Sequence, residues 1–276
     1  GQTESQLQQS IPVIIVEDTA AAARQVDALN FENLPEAVRP DAMYKKAWTA
    51  AQGATYDPVP TLNRYIENYV ADHRMPDALT LRGTFHGKAG KVGEALADYD
   101  RVIRDYPDSD SVAVCWQRAA KLCAGRDADK MVHYYKGFIK HCGEMTKQGR
   151  QVKPGALAEA HYNVAGVLAD KDPAAAVSHF QEARTLYPEQ YASLVDLRLV
   201  QCFFKMKDAE NLKKSLEVLE RSNQASYNAL PPAILRWCGW TCFQSHDYLA
   251  ADKYLSDALV REPREKYTAA DGSEQE

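Results

Sequence analysis

Two groups of residues have the types and spacing for chemistry. Cys238, Cys242 and His246 stand at i, i+4 and i+8, a spacing that lines three side chains along one helix face. Two thiolates and an imidazole so placed could approach one zinc ion. His141 and Cys142 are adjacent, the residue types of a base and a nucleophile, but no third group that would orient the histidine is identifiable. A histidine near a helix C-terminus also complements the helix dipole without doing chemistry. For the first group, packing explains the cysteines equally well, since both fall where two helices of a hairpin meet, and His246 falls in the turn before Asp247. The chain has no G-x-S-x-G, no Gly-rich phosphate loop, no H-E-x-x-H and no C-x-x-C. The expectation is a protein that is not an enzyme and needs no cofactor or metal.

The elements that carry these residues are helical. Between about residues 41 and 265 the chain alternates segments of 12–15 helical residues with short turns. One short continuous apolar run, Ile11 to Val16, has no helical period and precedes a short helix expected over Ala20 to Leu29. Three windows then share one phase. Leu79, Gly83 and His86 lead to Ala95, Tyr99, Val102 and Pro107. Ala160, Val164 and Val167 lead to Ala176, Phe180, Ala183 and Pro188. Leu235, Gly239 and Cys242 lead to Ala251, Leu255, Ala258 and Pro263. In each, an alanine lies 12 after the small or β-branched residue of the first helix, four before a large apolar residue and 12 before a proline.

This spacing resembles the tetratricopeptide repeat, W-x2-L-G-x2-Y, then A-x3-F, then P, over about 34 residues. Gly83 and Gly239 take the place where the two helices of a repeat approach closely. Pro107, Pro188 and Pro263 end the second helix, because proline cannot continue it. The leading Trp is absent from all three windows, and Val164 stands where glycine is usual. Between the windows lie three degenerate pairs: Asp41–Gly53 with Pro60–His73, Ser111–Ala124 with Ala128–Met145, and Tyr191–Lys205 with Ala209–Arg221. A polar connector, Thr146 to Gly155, follows the second of these.

The resemblance implies an all-α fold: an α-solenoid, a right-handed superhelix of about six hairpins over residues 41–265. Residues 1–40 are expected to form an extension and 266–276 a loose tail. It also implies a non-enzymatic module that holds a peptide or partner protein in a concave groove lined by the first helices. Counting from the repeat frame, the groove positions are Thr80, Thr84, His161, Ala165, Arg236 and Trp240, with Phe243 and Lys88 one turn on. The degenerate repeats add Lys46, Ala50, Trp116, Ala120, Leu197 and Gln201. Aromatics with an arginine are the usual anchors of protein interfaces, so the chosen set is Trp116, His161, Arg236, Trp240 and Phe243. The Lys, Asn and Arg set with which some co-chaperones of this family grip a C-terminal carboxylate is missing. The rival reading is a spacer or self-associating scaffold that works through its ends, loops or convex face.

Composition narrows the remaining classes. The chain of 276 residues carries a net charge of −5, without the basic excess of a duplex binder. The mixed charges between Lys205 and Glu220 read as a solvated helix face. No apolar run nears the roughly 18 residues of a membrane span. The chain begins at Gly1 rather than Met, so it is expected to be processed or excised from something longer. The phrase Tyr106-Pro107-Asp108-Ser109 resembles repeat proteins of the bacterial envelope, which would place the chain in the periplasm. The six cysteines point the other way, to a reducing cytoplasm, and the compartment stays open.

Overall fold

The computed structural model describes residues 30–51, 56–261, 267–268 and 274–275. The apolar run Ile11 to Val16, the expected helix Ala20 to Leu29, and Pro263 lie outside the described residues. Two 3-10 turns, Phe31–Asn33 and Glu36–Val38, lead into the first helix, and Arg39 Nε donates to the Leu34 carbonyl at 2.8 Å to hold that entry.

Thirteen helices are described. They are α1 Arg39–Ala51, α2 Val59–Asn68, α3 Met75–Lys88, α4 Val92–Asp105, α5 Ser111–Cys123 and α6 Ala128–Lys147. There follow α7 Pro154–Lys171, α8 Pro173–Leu186, α9 Pro188–Met206, α10 Ala209–Ser222, α11 Gln224–Asn228, α12 Pro232–Gln244 and α13 Tyr248–Arg261. Six antiparallel pairs result: α1/α2, α3/α4, α5/α6, α7/α8, α9/α10 and α12/α13. Near the end of the chain, Tyr267–Thr268 and Glu274–Gln275 pair as a short antiparallel ribbon. None of the described helices is long and apolar enough to cross a membrane. The connector expected over Thr146 to Gly155 is shorter in the structure. Helix α6 runs on to Lys147, and only residues 148–153 join it to α7, with Gly149 at φ 74° making the turn.

The chain divides into two compact units, Gly1–Phe138 and Ile139–Glu276. In the first, Leu62, Tyr65, Met75, Leu79, Tyr99 and Val102 are wholly or almost wholly buried. Each is worth roughly 1.5–3 kcal/mol for the apolar surface it removes from water. In the second, Phe180, Val195, Leu212, Leu216, Leu235 and Tyr254 form one continuous core.

The hairpins close where the repeat pattern places small residues. A Cβ on Gly83 would stand 2.8 Å from the Tyr99 ring and 3.2 Å from the Ala95 carbonyl oxygen. A Cβ on Gly239 would stand 2.8 Å from Leu255 Cγ and 3.1 Å from the Leu255 backbone nitrogen. The repeat pattern sets Gly239 against Ala251; in the structure it makes room for Leu255, one turn further along α13. Hydrogen only is tolerated at either place.

Helix ends in the second unit are economical. Asp172 is the single residue between α7 and α8; its carboxylate accepts from the Ala175 N–H at 3.0 Å, and Pro173 occupies the first helical position. Tyr187 alone joins α8 to α9, and Asn223 alone joins α10 to α11, capping the latter through the Ser226 N–H. Pro188 therefore opens the next helix as well as ending the previous one. The short helix α11 lies between α10 and Pro231-Pro232; its Tyr227 is buried, with its hydroxyl 2.6 Å from Asp257 Oδ2.

Candidate functional site

The last hairpin carries the most exposed aromatic surface. Helix α12 contains no acidic residue, so its outward side is apolar and cationic. On it Arg236, Trp240 and Phe243 recur at i, i+4 and i+7, a spacing that sets them on one face. Trp240 is 54% exposed and Phe243 49%, and their rings stack with centroids 5.9 Å apart and planes 22° from parallel. The row continues into α13: the Tyr248 ring meets Phe243 edge-on at 5.8 Å. His246 closes the turn with φ 63°, and its Nδ1 lies 2.9 Å from the Tyr248 hydroxyl. Spacing along one helix does not reveal Tyr248. Only the turn, which folds α13 back on α12, brings it to Phe243.

The other proposed groove residues are used differently. Trp116 is half-buried in its own hairpin: a Cβ on Gly137 would run into its indole, and the ring packs against His133 and Tyr134 at about 6 Å. His161 lies against His179 of α8, Nδ1 to Nδ1 2.9 Å, so one ring donates and the other accepts. Burial, and then the neighbouring imidazole, push His161 down to about 4, so His161 is neutral near pH 7. The structure thus brings Arg236, Trp240 and Phe243 together and places Trp116 and His161 on other hairpins. Several further positions counted from the frame are buried. Ala50, Ala120 and Ala165 are in the core, and Thr80 bonds to the Pro76 carbonyl and to the Cys115 sulfur. Small residues there pack helix against helix instead of facing a ligand.

A second aromatic cluster lies about a quarter-turn around α12 from this row. Trp237 meets Phe204 of α9 edge-on at 5.9 Å, and the Lys207 ammonium sits 4.2 Å over Phe204 and 5.0 Å over Trp237. Lys207 can do so because it ends α9 in the left-handed region, φ 58°. Its neighbours in the charge run are paired: Lys205 with Asp170, Lys213 with Asp247 at 2.5 Å, and Lys214 with Glu210 at 2.6 Å.

The residues with chemical spacing are held for packing. All six cysteines are free and buried. Burial pushes the Cys142 thiol up to about 11 and lowers the His141 imidazole, which is opposite to what an activated thiolate needs. Burial also drives Cys238 far above the usual thiol range, while His246 turns to Tyr248. Among the described residues no group of three His, Cys, Asp or Glu side chains is placed to hold a metal ion.

Antiparallel helix pairs that recur in one phase define a helical repeat protein. The tetratricopeptide repeat family profile matches residues 77–109, which are helices α3 and α4 with their proline. One of the six hairpins is thus recognised as a tetratricopeptide repeat. Comparison with curated proteins by sequence gives no significant match. Among solved structures, the C-terminal part of a tetratricopeptide repeat-containing protein from Cytophaga hutchinsonii shares the fold. It is 16% identical, with TM-score 0.52, over 92% of this chain and 94% of that one. A tetratricopeptide repeat protein from Parabacteroides merdae is 12% identical, with TM-score 0.49, over 82% and 94%. The assembly chaperone of RpL4 is 13% identical, with TM-score 0.46, over 80% and 96%.

Proposed function

We propose that the chain is a non-enzymatic binding module that holds an extended peptide or a helix of a partner protein against the exposed side of α12, with Arg236, Trp240 and Phe243 as its anchors. The observation that carries this reading is the stacked Trp240–Phe243 pair, about half exposed on a helix that has one cation and no anion. Exposed aromatic area of that kind is costly to leave in water and is the usual centre of an interface. Trp116 and His161 act in this reading by fixing their own hairpins. Partners are proteins; neither nucleic acid nor membrane insertion has support in the charge or the helix lengths.

The test is affinity capture from native lysate with the wild-type chain and an Arg236→Ala, Trp240→Ala double variant. Selective loss of a protein from the variant supports the groove. Equal capture by both moves the contact elsewhere and defeats the assignment. The self-associating scaffold is favoured by a different observation, the exposed apolar side chains of α13.

A further inference from the structure

Positive charge is concentrated in one stretch of the chain. Residues 111–153 hold nine Lys and Arg against three Asp and Glu, a net +6, in a chain whose total is −5, so the remainder bears −11. Helix α5 contains no acidic residue. On it Val114, Arg118 and Lys121 recur at i, i+4 and i+7, a spacing that sets them on one face. Val114 and Lys121 are exposed, and Arg118 is half-buried. Arg118 reaches across to α3, where its guanidinium donates to the Thr84 hydroxyl. Lys88 is exposed and stands one turn beyond Thr84 on that helix. Three cations thus gather where the C-terminal halves of α3 and α5 lie side by side.

Arg118 is the member that the fold leaves unanswered. Arg74, Arg82 and Arg184 are also half-buried, and each bonds aspartate: Asp72 with Asp41, Asp98, and Asp196. Among the described residues no carboxylate pairs with Arg118; the groups it meets are the hydroxyls of Thr84 and Tyr99. Asp77 and Asp98, whose charge reaches the neighbouring Cys115, are engaged elsewhere. Asp98 binds Arg82, and Asp77 accepts from the Ser111 hydroxyl. Lys88 and Lys121 stand in the last turns of their helices, where the carbonyl dipole offsets part of their charge. Arg118 stands further in and lacks that offset. A half-buried guanidinium that spends one donor on a neutral hydroxyl keeps a desolvation cost that an anion would offset.

We infer that this face of α3 and α5 docks an acidic segment of a partner protein, with one Asp or Glu carboxylate seated on the Arg118 guanidinium. A guanidinium and a carboxylate match as a bidentate pair, and Arg118 has the donors left to form one. Lys88 and Lys121 attract neighbouring acids at the rim, and Val114, one turn from Arg118, meets an apolar side chain of the segment. Two arguments favour a protein segment over nucleic acid. The guanidinium is half-buried between two helices; a carboxylate on a flexible side chain can follow it in, and phosphates on a stiff duplex cannot. A long polyanion would also meet the −11 carried by the rest of the chain. A short acidic segment senses only the patch, within a Debye length of about 8–10 Å at physiological salt. The inference does not rest on the reading of α12, which uses other helices.

Fluorescence anisotropy on the full chain tests it, with a short labelled peptide in which Glu and Asp alternate with Leu. The wild type is expected to bind with a Kd of about 10–100 µM at about 50 mM salt, and several-fold more weakly at about 200 mM. The same peptide with Gln and Asn in place of its acids should not bind. Arg118→Gln should weaken binding at least about tenfold. Arg118→Lys keeps the charge but loses the planar fork, and should fall between Gln and wild type. Glutamine can still donate to Thr84, so the melting temperature of Arg118→Gln should not fall. Lys136→Gln removes the same charge from an exposed place on α6 and should change affinity less than about twofold. A wild type that does not bind the acidic peptide would overturn the proposal. So would an equal loss in Lys136→Gln and Arg118→Gln, which means diffuse attraction, or a lower melting temperature in Arg118→Gln, which makes Arg118 structural. An oligouridylate of the same length bound as tightly as the peptide would replace it with a nucleic-acid site. Capture with the Arg236→Ala, Trp240→Ala variant reads α12 independently, so either site can fail alone.

Discussion

The Tyr134 hydroxyl donates to the Asp100 carboxylate at 3.0 Å, and the two residues lie 34 apart in the chain. The same interval recurs in other polar contacts between neighbouring hairpins. Arg74 and Asp41 are 33 apart, Arg118 and Thr84 are 34 apart, and Lys213 and Asp247 are 34 apart. Side chains about one repeat length apart in the chain therefore bond neighbouring hairpins to each other. Tyr134→Phe should cost about 1 kcal/mol of stability, as the loss of one partly buried hydrogen bond. Urea unfolding of the two proteins side by side measures it, and Asp100→Asn made on top of Tyr134→Phe should add little.

The Gly239–Leu255 contact makes a sharper demand. Gly239→Ala places a methyl group against Leu255 Cγ and the backbone of α13, and backbone cannot step aside as a side-chain tip can. The expected loss is about 1–3 kcal/mol, with a matching fall in melting temperature. An unchanged melting temperature would mean that α12 and α13 do not touch at this point.

Trp116 and Trp240 should separate cleanly when each is changed to alanine. Trp116 fills the space over Gly137, so Trp116→Ala opens a cavity and should cost about 2–4 kcal/mol. Trp240 leaves about half its surface in water, and Trp240→Ala should cost less than about 1 kcal/mol. Denaturant midpoints of both variants, compared at equal slope, give the answer.

His161 sets a pH dependence with a definite sign. In the unfolded chain it takes up a proton near its ordinary value of about 6.5; in the fold it resists until about 4. The unfolded state therefore binds more protons between these values, and stability falls as pH drops from about 6.5 towards 4. Above about 6.5 the contribution is present in full. His161→Gln can still bond His179 and has no charge to gain, so unfolding free energies measured from about pH 4 to about pH 7 should show a shallower slope for the variant.

The cysteines should be slow to react. Burial holds Cys115 and Cys142 at about 11 each, so few thiolates exist at neutral or mildly alkaline pH. Ellman's reagent should modify the native protein at least about tenfold more slowly than the protein in urea.

Much of this fold is legible in the residues. Ala95, Ala176 and Ala251, each four before a large apolar residue and 12 before a proline, mark the second helices of three hairpins. The glycines at 83 and 239 mark where their partners touch. The degenerate pairs follow from spacing alone. The environment of a given side chain is not legible in the same way. Trp116 and Trp240 are both tryptophans that count to the groove side of a first helix. One is packed because Gly137 lies opposite it; the other is open because the rings beside it, Phe243 and Tyr248, do not cover it. The small residues Ala50, Ala120 and Ala165 count to the groove by the same frame, and are buried because consecutive helices come close only where side chains are small. Helix α11 has no signature in the sequence because five residues are too few to show a period.

The joints Asp172 and Tyr187 leave the run from α7 to α9 no slack. One residue inserted at either joint would turn the next helix by about 100° and carry its core side chains, such as Phe180 or Val195, out towards water. Residues 148–153 and the stretch around α11 flank this run as longer joints. Those two places are where a foreign loop, a tag or a fluorescent reporter can be grafted without shifting the register of everything downstream.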